Sequence, residues 1–141
     1  MAGQGKPRVE DVIAVAEFRS ALRRFMRRSE KIARRAGLTP QRYMLLMMIK
    51  GAPGGDEQST VTELSERLQL AQSTVTELVR RAEVAGLIER EQSPRDARVA
   101  HLRLTAEGER RLMLSFTELE TEREHLREAF ATLDGGLTGG G

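Results

Sequence analysis

The stretch that decides the fold is "TVTELSERLQLAQSTVTELVRRAEVAGLIER", residues 60–90. Thr60 followed by Glu63 has the spacing of a capping box, in which each side chain accepts the other residue's backbone N–H. Val61, Leu64 and Leu68 then share one face of a short helix. After a turn of about three residues, "QSTVTELVRRAEVAG" repeats the arrangement: Val75, Leu78, Val79 and Ala82 point inward, and Gly86 stops the helix. Two short helices joined by so tight a turn outline a helix-turn-helix. The outward face of the second carries Gln72, Ser73, Thr76, Glu77 and Arg80, with Thr74 near its start. Short polar side chains at a helix N-terminus can reach base edges and phosphates in a major groove, yet a solvated polar face has the same composition. From this helix alone the two readings stand even.

Downstream, "GLIEREQ" and "VAHLRLT" read as the strands of a hairpin, with Ala100, Leu102 and Leu104 on one side and His101 and Arg103 on the other. Between them lies "SPRDARV", residues 93–99. Pro94 and Asp96 suffice for a turn, so Arg95 and Arg98 need another reason. Thr105 caps a last helix over residues 106–133, where Leu112, Phe116, Leu119, Arg123, Leu126, Phe130 and Leu133 recur at alternating steps of four and three. At 1.5 Å per residue that helix is roughly 40 Å long, more than one small domain covers. Upstream, residues 8–35 place Val12, Val15, Phe18, Leu22, Phe25 and Ile32 on one stripe, ended by Gly37. Thr39 and Pro40 then open "PQRYMLLMMIKG", apolar nearly all round and expected in the core, Met44, Met47 and Met48 included. The economical use of the two long stripes is a homodimer. Val15, Phe18 and Leu22 of the first helix and Leu112, Phe116, Leu119, Leu126 and Phe130 of the last are its expected interface.

The 141 residues are read as one domain, with flexible tails over 1–7 and 135–141. Absence of cysteine excludes disulfides, thiolate metal sites and thiol redox sensing. With no apolar run near the roughly 18 residues of a membrane span and a start unlike a signal peptide, the expected location is the cytoplasm. Net charge is +2, but residues 1–59 carry 12 Lys/Arg against 6 Asp/Glu, and residues 105–141 carry 4 against 8. A basic first segment and an acidic last one can pair with each other. Two histidines, His101 and His125, have no nucleophile at a catalytic spacing, and no Gly-rich phosphate loop is present, so an enzyme is not expected and no cofactor or metal is assigned. The basic helix "FRSALRRFMRRSEKIARR" also suits a membrane surface or a partner protein, but its apolar spacing matches the C-terminal seam and dimerisation is simpler.

The order of helix, helix, helix-turn-helix, arginine-tipped hairpin and long helix resembles the multiple-antibiotic-resistance regulator (MarR) family of winged helix-turn-helix proteins. The residues that carry the likeness are 60–90 and "SPRDARVAHLRLTAEG", which is similar to the family's wing signature D-x-R-D-x-R followed by a strand and LT-x-x-G. The resemblance implies a mainly α fold with a small β-hairpin wing. It places dimerisation helices at 8–35 and 105–134 around a winged helix-turn-helix at 39–104. It also implies a DNA-binding transcriptional regulator, a homodimeric repressor on a pseudo-palindromic double-stranded operator, released by a small aromatic or anionic effector whose contacts follow no fixed motif. By the same carry-over Arg95 and Arg98 look like minor-groove and phosphate contacts, with Asp96 holding an arginine in position. Gln72, Ser73, Thr74, Thr76 and Arg80 look like base or phosphate contacts, and Arg81 like a phosphate contact or an internal ion-pair partner. An adaptor that has lost DNA binding is the rival within this fold, and the two wing arginines argue against it. The chain departs from the pattern at Ser93, Ala97, Gln69 and Ala71, the last leaving a helix start without a capping side chain at a cost of about 1 kcal/mol. Glu77 stands where many members carry arginine; it can accept from a cytosine amino group or pair with Arg80 or Arg81.

Overall fold

In the computed structural model, which describes residues 5–138 and side chains as far as Asp134, the capping box forms as its spacing requires. The Thr60 hydroxyl accepts the Glu63 N–H at 3.2 Å, and the Glu63 carboxylate accepts the Thr60 N–H at 3.3 Å. The described residues form six helices and one hairpin: α1 (Val9–Arg35), α2 (Pro40–Lys50), α3 (Val61–Leu68), α4 (Gln72–Val84), β1 (Ile88–Gln92), β2 (Ala100–Leu104), α5 (Ala106–Glu118) and α6 (Glu120–Thr138). The chain divides into two units, residues 32–117 and residues 1–31 with 118–141.

The unit of residues 32–117 is a winged helix-turn-helix. Its core is built from Leu45, Leu46 and Ile49 of α2, Leu64 of α3, Val75 and Val79 of α4, and Leu102 of β2, all with no exposed surface. Leu78 is half-buried at the margin. Thr39 caps α2 ahead of Pro40 as expected, and the Arg67 guanidinium donates to the carbonyls of Met48 and Gly51 at 2.6 and 3.2 Å, closing the other end of α2 with a side chain from α3. The turn between α3 and α4 runs through Gln69 at φ 57°, ψ 46°. A left-handed non-glycine residue is uncommon, and the Gln69 amide offsets part of that by donating to the Glu66 carbonyl at 2.6 Å. β1 and β2 pair antiparallel, Ile88 opposite Leu104 through Gln92 opposite Ala100, and Ser59 adds a bridge to Leu102 on the far edge. Thr105 caps α5 through the Gly108 N–H at 3.1 Å, while its own hydroxyl donates to the Gly86 carbonyl at 2.6 Å. The start of α5 therefore lies against the backbone after α4. A Cβ on Gly108 would sit 2.2 Å from the Leu87 carbonyl oxygen, which is why LT-x-x-G needs its glycine.

In the second unit α1 and α6 meet at an edge-to-face contact of Phe18 and Phe130, ring centroids 6.0 Å apart, and at an ion pair between Arg28 and Glu122 at 3.3 Å.

Four expectations are corrected. The last helix is not continuous: Leu119 interrupts it. Ser115 and Thr117 return their hydroxyls to the carbonyls of Arg111 and Met113, 3.1 and 3.0 Å away, a back-bonding that weakens and bends helices. Leu112 and Leu119 are 3% and 1% exposed within the single chain, so neither has surface left for a partner, whereas Val15, Phe116 and Phe130 remain 41–57% exposed. Met44, expected in the core, is 40% exposed, while Met47 and Met48 are half-buried. Finally, α6 extends to Thr138 rather than ending at 134. Of the tails expected at 1–7 and 135–141, residues 1–4 and 139–141 lie outside the described residues; residues 5–7 are exposed and precede α1.

Candidate nucleic-acid interface

The surface to be tested against nucleic acid is built by α4 and the hairpin, both within residues 32–117. Val75, Val79 and Ala82 hold α4 by its buried face, and this fixes the opposite face outward. Gln72, Ser73, Thr74, Thr76, Arg80 and Arg81 are exposed there, and Glu77 is half-buried. No side chain caps the helix: Ala71, at the N-cap position, has no oxygen to accept the first N–H groups. Thr76 donates its hydroxyl to the Gln72 carbonyl at 2.8 Å, so its proton is engaged and its oxygen can still accept.

Glu77 is the organiser of the exposed face. One carboxylate oxygen accepts from an Arg80 terminal nitrogen at 2.6 Å and from Arg81 Nε at 3.0 Å; the other accepts from Arg80 Nε at 2.9 Å. Spacings of three and four along a helix bring both arginines to one carboxylate. The Arg80 bonds, and then those of Arg81, pull the Glu77 carboxyl from 4.5 down to about 2, and Glu77 in turn raises the Arg80 guanidinium. Of the two roles left open for Glu77, pairing is the one this geometry contains, and it takes both arginines.

A second link was not anticipated from sequence. Arg90 of β1 grips Glu83 of α4 with two bonds, 2.6 and 3.2 Å, tying the helix to the first strand of the hairpin. Its sequence signal was weak, because a separation of seven residues across a turn has no fixed period.

The hairpin tip is ordered by its own polar groups. The Ser93 N–H donates to the Val99 carbonyl at 2.9 Å, and the Val99 N–H to the Asp96 carbonyl at 3.0 Å. Asp96 accepts the Arg98 N–H at 3.0 Å and the Arg98 Nε at 3.2 Å. Those bonds, the backbone one first, hold its carboxyl below the usual carboxylate range. The Arg98 side chain is nonetheless 91% exposed. Arg95 is exposed, and its guanidinium has no partner among the described residues. Asp96 thus steadies one arginine of the tip and not the other. Among the described residues no group of three or more His, Asp or Glu is placed to hold a metal ion, and no helix is long and apolar enough to cross a membrane.

Residues 36–99 match a model described as MarR family. No curated protein matches the chain. Among solved structures the chain is similar to AbsC, a MarR family transcriptional regulator from Streptomyces coelicolor, at 21% identity and a TM-score of 0.70, over 96% of this chain and 93% of that one. It is similar to a mutant MarR from E. coli complexed with operator DNA at 20% identity and a TM-score of 0.67, over 85% and 87%. A transcriptional regulator from Thermotoga maritima is 28% identical with a TM-score of 0.62, over 86% and 88%. The first two likenesses speak for the fold alone.

Proposed function

We propose that this chain, a MarR family protein with the winged helix-turn-helix fold, regulates transcription by binding double-stranded operator DNA as a homodimer and represses the genes it controls. The observation that carries the reading is the joint display, on one unit, of an exposed polar α4 and a hairpin tip with two exposed arginines, Arg95 and Arg98. Insertion of α4 in a major groove presents Gln72, Ser73, Thr74 and Thr76 to base edges, with Arg80 and Arg81 toward phosphates. The wing arginines then meet the adjacent minor groove, whose negative potential favours a guanidinium. A second copy supplies the other half-site, about one helical turn away. MarR from E. coli complexed with operator DNA, which shares the fold, supports the DNA partner. Release by a small aromatic or anionic effector belongs to the reading without assigned residues.

The test is fluorescence anisotropy with the DNA upstream of the chain's own gene, titrated across salt. Tight binding that resists competitor, at one dimer per pseudo-palindrome, is expected. An Arg95→Ala, Arg98→Ala variant that still dimerises is expected to bind about tenfold more weakly or worse. Unchanged binding by that variant would remove the wing from the mechanism, and equal, weak binding to scrambled DNA would leave only phosphate attraction.

A further inference from the structure

The backbone joins α4 to the hairpin through Ala85, Gly86 and Leu87 alone. Ile88 anchors the base of the hairpin in the core, but Glu89, Arg90, Glu91 and Gln92 are all exposed on β1. On β2 the last fully covered side chain toward the tip is Leu102, which stands opposite Arg90. Past that level no side chain of the hairpin is buried, and Arg95 follows Arg90 by five residues. That is roughly 15 Å along an extended strand. A swing of about 10° at the level of Arg90 therefore moves the tip by about 2.5 Å, close to a hydrogen-bond length.

At this same level Arg90 closes on Glu83 of α4, its Nε on one carboxylate oxygen at 3.2 Å and a terminal nitrogen on the other at 2.6 Å. Two parallel bonds fix a direction as well as a distance. No other side-chain hydrogen bond or ion pair among the described residues joins α4 to the hairpin. The two side chains are 44% and 28% exposed, and a pair so open to water adds little to stability.

We propose that the bond between Arg90 and Glu83 positions the wing: it holds the hairpin at one angle to α4, so that Arg95 and Arg98 meet the minor groove while α4 occupies the major groove. Arg90 and Glu83 are positioning residues and touch no DNA themselves. The inference rests on the DNA-binding reading and goes beyond it by naming what couples its two contacts.

A double-mutant cycle tests it, with the DNA upstream of the chain's own gene and a scrambled copy as probes. In the wild type the Arg95→Ala, Arg98→Ala change is expected to weaken operator binding about tenfold. Arg90→Met keeps the stem and removes the bond. It is expected to weaken operator binding about threefold, and the wing change added to it to cost only about threefold more, so that the combined variant binds as the wing variant does. A brace that only adds stability does not alter this ratio, because folded protein is compared with folded protein throughout.

A tenfold wing effect in both backgrounds overturns the proposal and leaves the DNA-binding reading standing. So does Arg90→Met weakening operator and scrambled DNA alike with a salt slope lower by about one, the mark of a phosphate contact. Glu83→Ala removes the bond from the helix side and is expected to reduce the wing effect to the same threefold. A full wing effect retained there overturns the proposal, and Glu83→Ala carries the test alone should Arg90→Met lose its helical circular dichroism. A wild type that binds scrambled DNA as well as the operator overturns the DNA-binding reading and this proposal with it.

Discussion

The pattern Glu-x-x-Arg-Arg occurs in α4 as Glu77, Arg80 and Arg81 and in α5 as Glu107, Arg110 and Arg111, and it builds the same local geometry in both. In α5 one Glu107 oxygen accepts from Arg110 at 2.6 Å and from Arg111 Nε at 2.8 Å, as Glu77 does with its own pair. Both carboxyls are drawn down to about 2, in each case first by the arginine three residues on. The surroundings differ. Arg111 is 30% exposed and also donates to the Gly37 carbonyl at 3.2 Å, reaching the turn that follows α1. Arg80 and Arg81 are each 61% exposed and have no partner beyond Glu77 among the described residues. Helix spacing alone gives the triad; a tertiary neighbour decides whether an arginine braces the fold or stays available to a ligand.

The largest expected effect lies in the braced copy. Gly108→Ala forces a methyl to 2.2 Å from the Leu87 carbonyl oxygen, a backbone atom that cannot swing aside, so α5 must shift with its triad. A loss of about 3 kcal/mol in urea unfolding is expected; a change within 0.5 kcal/mol, the ordinary range for surface positions, would mean that α5 is not pinned there. Next comes the direct contrast of the second arginines. Arg111→Ala removes a bond to a carbonyl and half-buried stem packing, and is expected to cost about 1–2 kcal/mol of stability with DNA affinity unchanged. Arg81→Ala is expected to leave stability within about 0.5 kcal/mol and to lower the salt slope of DNA binding by about one. Reversed outcomes would erase the distinction.

Much of this was legible before any coordinates, and the limit has a physical shape. Signals contained within one helix turn survived: the Thr60 and Glu63 box, the Thr39 cap, the inward set Val75, Val79 and Ala82, and the uncapped Ala71. The order of elements carried the winged helix-turn-helix. What sequence period could not reveal was competition between distant neighbours. The heptad spacing through Leu112, Phe116 and Leu119 is real, yet two of the three leucine and phenylalanine positions are consumed by the chain itself. The same spacing could not foresee that Ser115 and Thr117 would turn on their own helix. In the candidate site, the exposure of the α4 face followed from its apolar spacing, whereas the Arg90 grip on Glu83 depends on where a strand returns.

A smaller effect separates the triads by removing the charge of each carboxylate. Glu77→Gln frees Arg80 and Arg81 and removes one of the two acidic groups of α4, the other, Glu83, being held by Arg90. Binding to arbitrary DNA is expected to tighten about threefold, since one less negative charge faces the phosphates. Discrimination between operator and arbitrary DNA is expected to fall, because two unheld arginines no longer meet particular positions. Glu107→Gln should alter neither quantity. Better discrimination by Glu77→Gln would show that Glu77 opposes recognition rather than organising it.

The smallest effect is acid sensitivity, where the two triads should agree. Each carboxyl has a folded value of about 2 against an ordinary 4.5. Because the folded value is the lower one, the stabilisation is complete above pH 4.5 and is lost as pH falls from there toward 2. Both groups are open to solvent, so screening keeps the effect modest. Urea midpoints followed across that window are expected to fall less steeply in Glu77→Gln and in Glu107→Gln than in the wild type. The double variant should lose the sum of the two slopes, since the two triads share no partner. Equal slopes in all four proteins would mean that neither carboxylate is held by its arginines in solution. A slope removed only by Glu107→Gln would show that the α4 triad forms only when something outside the chain orders its arginines, and the contrast between brace and free hand would then begin one step earlier, at the pairing itself.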